Sequence, residues 1–255
     1  MFSIRKRAIF LSVTWILLFS LTLTFLDYLS NVFNSNVCSQ TIASLSWAGY
    51  IVSPHASGQE IEVNEVSASW IVPRVNVSSG DGYSSMWVGI GGQTDKTLIQ
   101  VGTEHDSVGG SEVYSAWYEM LPNYAIKIQN IDISPGDKVV ASVTLLDIAQ
   151  DQWHIKLVDI TKNQEFNLKV DYNSSRSSAE WIVERPTINN RISTIVDFGD
   201  ATFSECKVKV NNTCGAIGNF TYSKVQMTNQ QATILTAISP LNIDGASFTA
   251  SYIPN

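Results

Sequence analysis

The sequence predicts an all-β protein, an antiparallel two-sheet β-sandwich of the concanavalin or lectin-like kind, and three observations predict it. Beyond the N-terminus no ten-residue stretch holds a helical period, and short apolar runs rich in Val, Ile, Thr and aromatics follow one another instead. Turn signals such as Gly91-Gly92 and Ser134-Pro135-Gly136-Asp137 separate those runs. No repeat of about 20–50 residues recurs, so propellers and solenoids are excluded and a pair of packed sheets accommodates the strands.

Taken in order, Arg5-Lys6-Arg7 precede an uncharged, strongly apolar run over residues 8–26. At about 1.5 Å per residue this run nearly spans a bilayer core of about 30 Å. Asp27-Tyr28-Leu29-Ser30 follows without a small-residue cleavage site, which favours an uncleaved anchor over a cleaved signal peptide. Under either reading, residues 1–27 form one N-terminal membrane segment. The basic flank keeps the N-terminus inside, and the rest of the chain lies outside the cytoplasm, membrane-anchored or secreted. Residues 28–45 mix polar and apolar types without period and read as a linker or stalk. The sandwich domain is expected over 46–255. Its strand-like runs are 67–72, 86–90, 98–103, 113–120, 125–133, 138–146, 153–160, 165–170, 179–183, 194–198, 203–210, 225–228, 232–238 and 247–253.

Composition narrows the partners. Charged residues make up 15% of the chain, below the roughly 25% usual for soluble domains. A sparsely ionised surface changes little as carboxylates protonate, which suits acid surroundings. The net charge is −7 and no Lys/Arg cluster occurs past the N-terminus, so nothing holds a phosphate backbone and nucleic acid is excluded as a partner. Asn76, Asn173, Asn211 and Asn219 head Asn-x-Ser/Thr sequons, compatible with export. Cys206 and Cys214 flank the turn-like Asn211-Asn212-Thr213, a spacing for a hairpin disulfide; Cys38 is left over, free or paired between chains.

Common catalytic machines are missing. There is no Gly-x-Ser-x-Gly elbow, no His-Glu-x-x-His helix and no Asp-Thr/Ser-Gly element. His55, His105 and His154 are isolated and lack metal-ligand spacing, so neither a metal nor a cofactor is expected. What stands out is one amide, Gln100 in Leu98-Ile99-Gln100-Val101-Gly102-Thr103, and one carboxyl, Glu180 in Ser178-Ala179-Glu180-Trp181-Ile182-Val183-Glu184. Both sit in apolar strand-like runs. An amide can donate to a developing oxyanion, and a carboxyl can activate water. Side chains alternate along a strand, so Trp117 and Glu119 share one face of theirs, as do Glu180, Ile182 and Glu184. One concave face is thereby able to collect Gln100, Trp117, Glu119 and Glu180.

The order of motifs around these residues resembles the glutamic peptidases, or eqolisins. Ser69-Trp70-Ile71-Val72-Pro73 is similar to the family's early Trp-x-Val-Pro strand, and Trp87-Val88-Gly89-Ile90-Gly91-Gly92 to its Trp-Val-Gly-Ile element. The Gln100 and Glu180 stretches match the segments carrying the catalytic glutamine and glutamate. Tyr114-Ser115-Ala116-Trp117-Tyr118-Glu119 matches the strand lining the substrate cleft, and Phe198-Gly199 with Thr202-Phe203 fits a later strand. The resemblance implies a monomeric, acid-active endopeptidase acting on polypeptides. Gln100 and Glu180 are then catalytic, and Trp87, Trp117 and Glu119 bind substrate. Met120-Leu121-Pro122 departs from the aromatics that fungal members place there, which implies a different cleft wall. Two other classes fit a sandwich: a glycan-binding module using exposed Trp and Tyr, and a glycoside hydrolase pairing Glu180 with Glu119.

Overall fold

A computed structural model describes residues 40–54 and 60–254. The apolar run at 8–26, Cys38 and His55 lie outside the described residues. Among the described residues no helix is long and apolar enough to cross a membrane.

In chain order the strands are β1 (Gln40–Ser44), β2 (Trp47–Val52), β3 (Val63–Ile71), β4 (Gly82–Gly91), β5 (Leu98–Val108) and β6 (Ser111–Met120). Then come β7 (Ile126–Lys127), β8 (Lys138–Asp147), β9 (Gln152–Asp159), β10 (Gln164–Asp171), β11 (Ala179–Glu184) and β12 (Thr187–Ile188). The last are β13 (Arg191–Ile192), β14 (Asp200–Val210), β15 (Thr213–Ala216), β16 (Tyr222–Met227), β17 (Thr236–Ile238) and β18 (Phe248–Tyr252). One sheet, the cleft sheet below, runs β1-β16-β2-β11-β4-β5-β6-β7; the other runs β10-β9-β8-β3-β14-β18-β17 with β15 added to β14. β12 and β13 form a separate small hairpin. Neighbouring strands are antiparallel except β1, which lies parallel to β16.

Alternation decides where the core sits. Val88 and Ile90 of β4, Ile99 and Val101 of β5, and Trp181 and Val183 of β11 turn towards the second sheet. There they meet Val66, Ala68 and Trp70 of β3 and Val139, Ala141 and Val143 of β8. Each valine or isoleucine among them, taken from water, contributes about 1.5–3 kcal/mol. The polar groups that enter this layer are mostly paired: Trp70 Nε1 donates to Thr103 Oγ1 at 3.0 Å, and Thr103 Oγ1 lies 2.7 Å from His105 Nε2. His105 is therefore a core histidine, while His154 sits near the surface beside Asn167. The other face of the cleft sheet holds a smaller apolar cluster of Ile51, Trp87, Leu98, Trp117, Ile182 and Val225.

Several expectations are corrected. Cys206 and Cys214 are both free thiols. Cys206 shares the buried face of β14 with Val208 and Val210, whereas Cys214 pairs across the hairpin with Lys209 and is exposed, so the two side chains point to opposite faces. Of the run 125–133 only Ile126–Lys127 is strand. Ile128, Ile131 and Ile133 are buried where the chain crosses from one sheet to the other, and their apolar character plugs the end of the core. Residues 194–198 likewise bury Ile195, Val196 and Phe198 while making one isolated bridge, Tyr83 to Ile195. Within 232–238 only β17 is strand. β2, whose pattern Gly49 interrupts, is absent from the runs named above, and β1 occupies part of the stretch read as linker. All four sequon asparagines are exposed.

Candidate active site

Register places the proposed residues in one line. Across the cleft sheet Glu119 of β6 pairs with Gln100 of β5, Gln100 with Gly89 of β4, and Gly89 with Glu180 of β11. The row continues through Ile51 of β2 and Ser223 of β16 to Gln40 of β1. Directly paired residues point to the same side, so Gln100 and Glu180 face the same way with only a glycine between them. Two strand spacings, about 9.6 Å, separate their Cα atoms. Gly89 makes room for its neighbours: a Cβ there would stand 3.0 Å from Leu98 Cδ1, 3.1 Å from Gln100 Cβ and 3.1 Å from Trp87 Cζ3. The next row repeats the device, with Gly102 between Trp87 and Trp117. There a Cβ would lie 2.2 Å from the Met86 carbonyl oxygen.

Gln100 is 3% exposed, and its Nε2 donates to Glu119 Oε2 at 2.5 Å. That bond orients the amide so that one N–H is held and the other is left to point elsewhere. Gln100 Oε1 has no partner. Glu180 is fully buried, 0% exposed. Neither of its oxygens, nor the neighbouring Ser178 Oγ, completes a hydrogen bond of normal geometry. Burial holds its carboxyl well above the usual carboxylate range, partly opposed by the nearby Ser178 and reinforced by the charge of Asp95. Burial also raises Glu119, against the lowering effect of the Gln100 hydrogen bond.

A cleft of about 500 Å³ opens on this face. Gln100, Trp117 and Glu119 line it, with Leu121 and Tyr124 on one wall and Glu104 at the far end. Glu180 and Trp87, by contrast, are set back from it without exposed surface. Trp87 acts from beneath: its ring meets Trp47 edge-on at 5.1 Å, and its Nε1 donates to Glu184 Oε2 at 2.8 Å. Leu121, part of the departure from aromatics, does form cleft wall.

The site also contains carboxyls that the motif reading left aside. Glu184 lines the cleft at the end of β11, and burial, with the Glu119 charge adding to it, pushes its carboxyl up to about 7 against the indole hydrogen bonds. Its parity with Glu180 was the available signal. Glu104 accepts from Ser115 Oγ. Asp106, two residues on along the same face, is raised to about 7 by burial and by Glu104. Among the described residues no group of His, Cys, Asp and Glu is arranged to hold a metal ion. The arrangement as a whole is a glutamine amide and a desolvated carboxyl on either side of a glycine, with further acids nearby, of which Glu119, Glu184 and Asp106 are raised above the usual carboxylate range.

Residues 45–252 match the Peptidase A4 family. Aspergillopepsin-2 of Aspergillus niger is 26% identical over 234 residues, covering 82% of this chain and 78% of that protein. The fold is similar to that of scytalido-glutamic peptidase, solved with a transition state analog inhibitor: TM-score 0.69, 24% identity, 82% of this chain and 99% of that one. Aspergilloglutamic peptidase from Aspergillus niger superposes with a TM-score of 0.60 at 26% identity, over 68% of this chain and 99% of its own.

Proposed function

Because the chain belongs to the Peptidase A4 family and is thereby a glutamic endopeptidase, we propose that it cleaves polypeptides in acid solution, outside the cytoplasm, with Glu180 as general base and Gln100 as oxyanion donor. The observation that carries the reading is the shared row, with Gln100 and Glu180 facing one side across Gly89. A water seated between them gives its proton to Glu180 as it adds to the peptide carbonyl. The free N–H of Gln100 stabilises the oxyanion, a contribution worth about 3–4 kcal/mol for such donors. Glu180 then returns the proton to the leaving nitrogen, and no acyl-enzyme forms.

The unpartnered oxygens of Glu180 support this role, since an entering water supplies the hydrogen bonds that its ionised form lacks in the closed site. Acid conditions favour the chemistry for a related reason. One carboxylate on this face is tolerable, but ionising Glu119 and Glu184 as well adds repulsion to a desolvated site. The basic flank and apolar run before residue 27 are the grounds for an extracytoplasmic location.

The glycan-binding reading is less well supported, because Trp70, Trp87, Trp153 and Trp181 are all fully buried. A glycosidase pair fares no better: Glu119 is bound to Gln100, and three strand spacings, about 14 Å, separate its Cα from that of Glu180. The deciding experiment incubates the full-length protein with an unfolded protein substrate between pH 2 and 8. Cleavage that rises as pH falls below 6 is expected; glycan binding with no cleavage at any pH would overturn the reading. A finer check is Gly89→Ala. Its Cβ crowds Gln100 and displaces it by a few tenths of an ångström or more, so kcat/KM should fall about 10²-fold. The melting temperature should change little.

A further inference from the structure

The cleft face does not end at Glu180. On its other side, over β2, β16 and β1, lies a second hollow of about 430 Å³. Trp47 lines both hollows and stands between them. The two differ in chemistry. Glu104, Glu119 and Glu184 line the first, whereas among the described residues none that lines the second is charged; its floor is Ile51 and Val225 with Ile42 at its side. Gln93 also lines it, and Gln93 Oε1 is a buried acceptor without a partner.

The outer wall is β1, which lies just before the residues that match the family, 45–252. Its register with β16 puts Gln40 and Ile42 opposite Ser223 and Val225, on the face that carries Ile51 and Glu180. Ser44 Oγ accepts from the backbone N–H groups of Ser46 and Trp47, at 3.2 and 3.0 Å, and so ties the end of β1 to the tryptophan between the hollows. Along the row, Glu180 lies two strand spacings, about 10 Å, from β16, the reach of about three extended residues.

We propose that this hollow is a substrate subsite: it receives an apolar side chain of the polypeptide about three residues from the cleaved bond, while Gln93 Oε1 accepts a backbone N–H of the same segment. The inference rests on the peptidase reading for its substrate. Its physical basis is separate from that reading, namely a hollow beside the cleft on the same sheet face, sharing Trp47 with it and lined by no charged residue among those described, an orphan acceptor inside it, and a wall that the matched region does not include. Binding there acts through KM, because the contacts are remote from the reacting atoms and form in the ground state.

The test uses the full-length chain and two peptides that share one cleavage site, the longer extended by an apolar residue on the side that reaches β1. Extension should raise kcat/KM about tenfold, the worth of burying one apolar side chain. Ile42→Trp, which fills the hollow, and Gln93→Leu, which removes the acceptor, should each erase most of that gain and leave cleavage of the short peptide unchanged. A gain that survives both substitutions, or that a lysine in the added position reproduces, would overturn the subsite. If neither peptide is cleaved at any pH, the peptidase reading fails. The subsite is then decided by fluorescence anisotropy of the labelled long peptide: about tenfold weaker binding in Ile42→Trp supports it, and equal binding refutes it.

Discussion

Replacing Glu180 by glutamine should lower peptide cleavage by about 10³-fold or more while leaving the fold intact. The side chain is fully buried, so an amide of the same size and polarity fills its place without leaving a cavity, but it cannot take the proton from water. Gln100→Ala should cost about 10²–10³-fold, the range for loss of one oxyanion donor. The double variant should be little worse than Glu180→Gln alone, because the two groups act on one transition state. Glu184→Gln is the discriminating control. Glu184 lines the open cleft, as a general base would be expected to, yet it pairs with Ser85 and Trp47 rather than with the Gln100 row, and its carboxylate oxygen is held by the Trp87 indole. That variant should therefore retain most acid activity. A silent Glu180→Gln beside a dead Glu184→Gln would move the base from one end of β11 to the other. The readouts are initial rates on one peptide at pH 3–5 and a melting curve for each variant.

How much of this was legible beforehand depended on the range of the contacts involved. Alternation along a single strand is local, so the shared face of Trp117 with Glu119, and of Glu180 with Glu184, followed from the sequence. The alignment of Glu119, Gln100, Gly89 and Glu180 in one row depends on three separate strand pairings, and no local pattern specifies those registers. The same limit explains the cysteine error. Flanking a turn suggested that Cys206 and Cys214 were partners, but the hairpin pairs Lys209 with Cys214, three positions along from Cys206 and on the other face. Residues 125–133 misled for a different reason. Their isoleucines are apolar because they cover the edge of a core while the chain changes sheets, and burial without pairing looks the same as a strand in sequence. Glu184 could be placed on the right face, but its pKa of about 7 arises from burial and from the charge of Glu119, partly offset by hydrogen bonds from Trp87 and Trp47, and these three residues come from three other strands. The motif series carried the family resemblance because it is read in order and needs no register.

The thermal stability of the protein should pass through a maximum near about pH 4 and fall on both sides, and different residues should govern the two limbs. On the neutral side the relevant groups are carboxyls whose folded pKa is raised: Glu184 from 4.5 to about 7, Asp106 from 3.8 to about 7, with Glu119 and Glu180 also raised. A raised carboxyl is protonated in the fold where the unfolded chain has already released its proton. Its contribution is thus full in acid and is lost as pH climbs towards 7. Each such group costs about 1.4 kcal/mol per pH unit across that window. His105 acts in the opposite sense. Burial lowers it from 6.5 to about 3, so the unfolded chain takes up a proton that the fold refuses, and stability drops as pH falls from 6.5 to about 3. Between pH 4.5 and 6.5, Glu184 and Asp106 together outweigh this single histidine by about 1.4 kcal/mol per pH unit, and stability declines towards neutrality. Below about pH 4 the carboxyls of the unfolded chain are protonated too, and His105 is left to set the slope. Asp95 and Glu165, whose pKa values are lowered, lose their contribution in the same acid range. Melting temperatures measured from pH 2.5 to 8 should show both limbs. Asp106→Asn should make the neutral limb shallower, whereas His105→Asn should flatten the acid limb and steepen the decline between pH 4.5 and 6.5. A melting temperature that rises steadily from pH 4.5 to 7 would contradict the buried neutral acids on which the cleft face depends.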